Sequence, residues 1–122
     1  MQGNDKLTDG LVPHLRLPQN MRDWHWAMQL NQAWALTAGI THHRSSAPRC
    51  AGTVVWQLND MWPVVSWSVI DGDGRVKPAY WAMSHAFAPR LVTVQPVAGG
   101  GLEVRVVNDT DEVLSGELRL RR

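Results

Sequence analysis

The stretch that decides the reading of this chain is Gly52-Thr53-Val54-Val55-Trp56-Gln57-Leu58-Asn59-Asp60-Met61-Trp62-Pro63-Val64-Val65-Ser66-Trp67. After Gly52, the run Thr53 to Leu58 is too β-branched and too continuous for a half-exposed strand. It is expected to be a buried strand of a parallel sheet. Asn59 to Trp67 is then the loop that leaves the C-terminal end of that strand.

Working outward, Arg22 to His43 holds no Pro and only Gly39, and Ala, Leu, Met and Gln dominate it. That composition predicts the longest helix. At helical spacing His25, Gln29, Gln32 and Gly39 share a narrow polar stripe, while Trp24, Trp26, Ala27, Met28, Leu30, Ala33, Trp34, Ala35, Ala38 and Ile40 cover most of the remaining circumference. A helix so apolar needs neighbours on several sides, and Trp24, Trp26 and Trp34 are expected in the core. Residues 1–20 carry Gly3, Gly10, Pro13 and Pro18 and read as a loop with at most a helical turn around Leu7 to Val12. Downstream, Asp71-Gly72-Asp73-Gly74 marks a turn, and Pro78 stands at the first position of a helix from Ala79 to about Phe87. Strand alternating with helix points to α/β architecture, in which functional groups gather on loops at the C-terminal ends of strands.

Past Pro89 the pattern changes. Leu91 to Val94, Leu102 to Val107 and Gly116 to Leu120 alternate apolar with polar residues, separated by Gly99-Gly100-Gly101 and by Asn108 to Asp111, as in an antiparallel β segment. One strand of a parallel sheet does not stand alone, and three short strands do not close a sandwich. The chain is therefore expected to hold parts of two domains, residues 1–89 and 90–122.

Composition narrows the function. The 122 residues carry 12 Lys plus Arg against 11 Asp plus Glu, a net charge of +1 that offers no strong field to nucleic acid or to an anionic membrane. Cys50, the single cysteine, cannot form an internal disulfide. There is no leader-like segment after Met1 and no run of 18 apolar residues, so a soluble chain is expected, with a cytoplasmic setting favoured. The seven tryptophans all lie between Trp24 and Trp81, whereas the first glutamate is Glu103. Every earlier acidic residue is an aspartate: Asp5, Asp9, Asp23, Asp60, Asp71 and Asp73.

The Trp56 to Trp67 segment closely resembles the last barrel strand and following loop of β-mannosidases of glycoside hydrolase family 2, which read Trp-Gln-Leu-Asn-Asp, one residue, Trp-Pro, two residues, Ser-Trp. Asp23-Trp24-His25-Trp26, Asp71-Gly72-Asp73-Gly74-Arg75 with Lys77-Pro78, and Phe87-Ala88-Pro89-Arg90 agree with the same family. The resemblance implies the last βα unit of a (β/α)8 TIM barrel followed by the first strands of an immunoglobulin-like β-sandwich. The implied activity is retaining release of terminal β-D-mannose. Such hydrolysis uses two carboxyl groups about 5 to 5.5 Å apart. In the family both are glutamates on earlier barrel strands, and residues 1–102 contain none. A C-terminal fragment without its own catalytic residues is expected, completed by the remainder of the barrel.

By the family pattern Trp56 lines the mannosyl subsite, with Asn59, Asp60 and Trp62 beside it; an indole face matches the C–H face of a pyranose and its N–H donates to a hydroxyl. The expected ligand is a β-mannoside or manno-oligosaccharide. No cofactor is expected, and no metal, because His25, His42 and His43 have no Cys or carboxylate at ligand spacing. Asp71 to Gly74 is not a calcium loop: Val76 and Ala82 fall where Gly and Glu are needed. Two alternatives stay open: a relative acting on β-galactosides, β-glucuronides or β-glucosaminides, and a stand-alone carbohydrate-binding module.

Overall fold

A computed structural model describes residues 3–50 and 52–121. Three helices, α1 (Gly3–Leu11), α2 (Met21–Ser45) and α3 (Pro78–Ala86), precede a hairpin of β1 (Arg90–Pro96) and β2 (Leu102–Asn108). The fold is mixed α and β. No helix among the described residues is long and apolar enough to cross a membrane.

The start of α2 is fixed by Asn20, whose side-chain oxygen accepts from the Asp23 backbone N–H at 2.9 Å while its amide donates to the Asp23 carboxylate at 2.8 Å. This satisfies one of the donors that a helix N-terminus leaves unpaired and places an acidic group at the positive end of the dipole. Pro78 opens α3 as expected, since its missing N–H costs nothing in the first turn. The core lies between these two helices, where Ala33, Val69 and Ala79 are buried with Leu36, Ile70, Tyr80, Ala82 and Met83 packed around them. Small residues at the contact let α2 and α3 approach closely.

The hairpin is antiparallel, with Arg90 opposite Asn108 and Pro96 opposite Leu102. Its connection turns through Gly99, Gly100 and Gly101, all at positive φ, a conformation that a side chain would strain. The hairpin is tied to the C-terminal end of α2. Arg44, its side chain 9% exposed, donates to the carbonyls of Ala86 and Ala88 and pairs with Asp109 at 2.6 Å. Arg105 reaches the Ser45 carbonyl, and His42 pairs with Gln95.

Four expectations need correction. Residues 3–11 are helical rather than loop: Leu11 is fully buried and Asn31 of α2 donates to the Gly10 carbonyl at 3.1 Å, so contact with α2 overrides the weak local propensity. Thr53 to Leu58 forms no strand, with bends at Trp56 and Leu58, and Val54 is 97% exposed. A strand of that composition is buried only by neighbours on both sides. Gly116 to Leu120 likewise joins no strand. Finally, Trp26 and Trp34 are about half exposed rather than core, because α1, α3, the hairpin and the segment around Val69 leave part of the apolar circumference of α2 uncovered.

Candidate functional site

Residues 57–77 form a compact knot at the end of the β-branched run. Leu58 O accepts from both Val69 N and Ile70 N, Asp60 N donates to Ile70 O at 3.0 Å, and Lys77 N donates to Val69 O at 2.9 Å. These bonds fold the segment back on itself, so that residues 61–67 bulge from its closed base.

Asp60 sits at that base, its side chain 2% exposed. Ser66 Oγ donates across both carboxylate oxygens at 2.6 and 2.8 Å, and Ser68 Oγ donates to Oδ2. Gln57 adds a donor at 3.3 Å to Oδ1. Lys77 Nζ lies 2.7 Å from Ser68 Oγ and 3.5 Å from Asp60 Oδ2. A buried carboxylate is tolerable only when ionic and hydrogen-bonding partners replace its water. Here the hydroxyls of Ser66 and Ser68, followed by the Lys77 ammonium, hold the Asp60 carboxyl below the usual aspartate range against the opposing effect of burial.

The large apolar side chains of the segment are exposed. Trp56 is 75% exposed, Trp62 69%, and Met61, Val65 and Trp67 also face solvent. The Trp56–Gln57 peptide is cis. Asn59 is exposed, its side-chain amide donating to the Asp60 carbonyl at 3.3 Å. Of the four residues singled out from the sequence, Trp56, Asn59 and Trp62 thus present open surface. Asp60 lies behind them with its oxygens engaged.

Two further anchors escaped the sequence reading. Gln32, in the middle of α2, donates to the Trp67 carbonyl at 2.7 Å. Gly72 lies against the Trp62–Pro63 backbone so closely that a β-carbon there would sit 2.5 Å from the Trp62 carbonyl carbon. The Ser66-Trp67-Ser68 spacing was the one available signal for the cage, since alternate residues of an extended segment share a face. Among the described residues no group of three His, Cys, Asp or Glu side chains is placed to hold a metal ion.

No family model matches the chain. It is, however, 31% identical over 91% of its length to β-mannosidase B of Aspergillus niger, covering 15% of that protein. It is 33% identical over 70% of its length to β-mannosidase B of Aspergillus flavus, covering 10% of that one. The crystal structure of the β-D-mannosidase from Dictyoglomus thermophilum superposes on 89% of this chain with a TM-score of 0.84 and 36% identity, again over a small part, 13%, of the larger protein. Both comparisons agree with the resemblance carried by the Trp56 to Trp67 motif: the chain is a relative of the β-mannosidases, hydrolases of the glycosidase class, and matches a short segment of them.

Proposed function

We propose that this chain supplies the closing strand and sugar-binding loop of a retaining exo-β-mannosidase. In this reading residues 1–89 are the end of a (β/α)8 barrel and residues 90–122 open an immunoglobulin-like sandwich. The carrying observation is the pairing of exposed Trp56 and Trp62 with a buried Asp60 whose hydrogen bonds close the base of the loop between them. Indoles held on a fixed backbone with their faces free suit the apolar face of a β-mannosyl ring, and the Asn59 amide offers polar contact to its hydroxyls. Asp60 serves this floor from behind, as the charge around which the loop is folded.

The chain's own carboxylates do not form a hydrolytic pair. Asp60 is sequestered, Asp71 accepts from the backbone of its own turn, and Asp73 pairs with Arg75 at 2.6 Å. Of the glutamates, Glu103 lies on β2, and Glu112 and Glu117 follow it. The two catalytic carboxyl groups therefore come from outside residues 1–122. The purified chain is expected not to hydrolyse an aryl β-mannoside, yet to show a change in tryptophan fluorescence with β-1,4-mannobiose that Trp56→Ala abolishes. Hydrolysis that disappears on changing one aspartate would overturn the assignment of chemistry to other residues. A fluorescence response unaltered in Trp56→Ala would overturn the sugar floor. A panel of manno-, galacto-, glucurono- and glucosaminide probes separates mannose from the related sugars.

A further inference from the structure

We propose that the Asp71–Arg75 turn is a gauge for Trp62, with Gly72 as the positioning residue that sets how far the indole stands from the base of the loop. The proposal rests on the reading of Trp62 as part of a sugar floor, but its geometry is independent of any ligand.

Trp62 lies on the part of the knot with the fewest bonds of its own. The ladder-like bonds at Leu58, Asp60 and Ile70 and the cage at Ser66 and Ser68 fix the two ends of the bulge, and Gln32 fixes Trp67. Between them, the Trp62–Pro63 backbone rests on Gly72. A β-carbon at position 72 would meet Trp62 C at 2.5 Å, Trp62 O at 2.6 Å and Pro63 N at 3.0 Å, all of them backbone atoms. No rotamer change relieves such a clash. Ordinary contact is restored only by moving Trp62 away by about an ångström.

The turn that carries Gly72 is built to resist that push. Asp71 Oδ1 accepts from Asp73 N at 2.9 Å and Arg75 N at 2.8 Å, Gly74 N donates to Asp71 O at 3.0 Å, and Asp71 N donates to Arg75 O at 2.9 Å. Its far side is anchored by the Ile70–Val76 bridge. A rigid turn bearing a residue without a side chain therefore works as a stop of fixed height beneath Trp62. Binding sites require their groups within about half an ångström of the productive position, a tolerance smaller than the displacement that a β-carbon at position 72 would force on Trp62.

Gly116 provides the matched control. It lies outside the turn, with nothing within 4 Å of an added β-carbon, so alanine there disturbs neither the turn nor the loop. The test uses the 122-residue chain labelled with 5-fluorotryptophan, its fluorine resonances assigned by single Trp→Phe variants, with Trp26 and Trp34 on α2 as internal references. Gly72→Ala is expected to shift the Trp62 resonance while Gly116→Ala leaves it in place. Equal effects of both variants, or none from Gly72→Ala, would overturn the proposal.

Should Gly72→Ala fail to fold, Asp71→Ala decides, since it adds no atoms and removes the carboxylate that closes the turn. A moved or broadened Trp62 line supports the gauge, and an unchanged one refutes it. Titration with β-1,4-mannobiose separates this result from the sugar reading. If mannobiose leaves both Trp56 and Trp62 unmoved in the parent chain while Gly72→Ala still shifts Trp62, the gauge stands and the sugar floor falls. If the parent responds, Gly72→Ala should weaken the response by about tenfold or more, the scale of loss expected for an ångström of misplacement.

Discussion

Asp60 illustrates how one residue can carry a loop from beneath, with its side chain only 2% exposed. Because hydroxyls and an ammonium stabilise its charge, its folded pKa lies below the value of about 3.9 expected of an unfolded aspartate. The sign of the linkage follows: its contribution to stability is complete above that unfolded value, shrinks as the pH falls through it, and is lost below the depressed folded value. Asp71 behaves alike, held low by the Arg75 and Asp73 backbone N–H groups and the Arg75 charge. Acid titration followed by tryptophan fluorescence should therefore show loop opening below about pH 4. In Asp60→Asn that step should shrink to the part owed to Asp71, and the loop should already be loosened at pH 7, because an amide turns donors toward Ser66, Ser68 and Lys77. An unchanged acid limb in Asp60→Asn would show that the cage is not the titrating element.

At the scale of elements, the ends of α2 do more than its middle. Removing the Asn20 cap with Asn20→Ala should cost about 1 kcal/mol, measurable by denaturant unfolding. At the other end, Arg44→Ala strands the Ala86 and Ala88 carbonyls and frees the hairpin. A loss of about 2 kcal/mol or more is expected, with faster amide exchange in β1 and β2 than in α3. Uniform exchange changes across all elements would argue that Arg44 is not specifically the hairpin's tie.

What was legible in the sequence has a clear physical boundary. The long and short helices were readable to within a residue or two from local composition, the absence of Pro and the placement of Pro78, and the hairpin from alternation interrupted by three glycines. Helix α1 was not, because its reason to exist is burial of Leu11 and a bond from Asn31, neither of which leaves a periodic trace. The β-branched run Thr53 to Leu58 read as a buried strand but forms none and stands largely open, since a ladder and its burial belong to neighbouring strands rather than to the run itself. Within the site, composition pointed to the exposed tryptophans. Apart from the alternate spacing of Ser66 and Ser68, the Asp60 cage and the seat under Trp62 join residues through irregular chain, where no spacing rule applies.

Across the whole molecule, the apolar residues left open on α2 and on residues 53–67 exceed what scattered surface positions explain: Trp26, Trp34, Val54, Trp56, Met61 and Val65 are all substantially exposed. Large exposed apolar areas mark surfaces that bind other protein. The isolated chain should accordingly bind a hydrophobic dye and melt broadly, with self-association setting in above the concentrations used for the mannobiose and fluorine measurements. A sharp two-state melt of a dispersed monomer would favour a stand-alone carbohydrate-binding module over a barrel segment.

The knot at residues 57–77 behaves differently from those surfaces, because its polar bonds close upon one another: Leu58 with Val69 and Ile70, Val69 with Lys77, and Lys77 back to Asp60. A unit wired in this way is portable. Transferred into a related scaffold with the glutamine of α2 retained beneath Trp67, it should keep its shape, while Met61, Val64 and Val65, which point away from the wiring, can be randomised. The loop is in this sense a cassette, its exposed positions open to laboratory evolution with little risk to the frame that carries it.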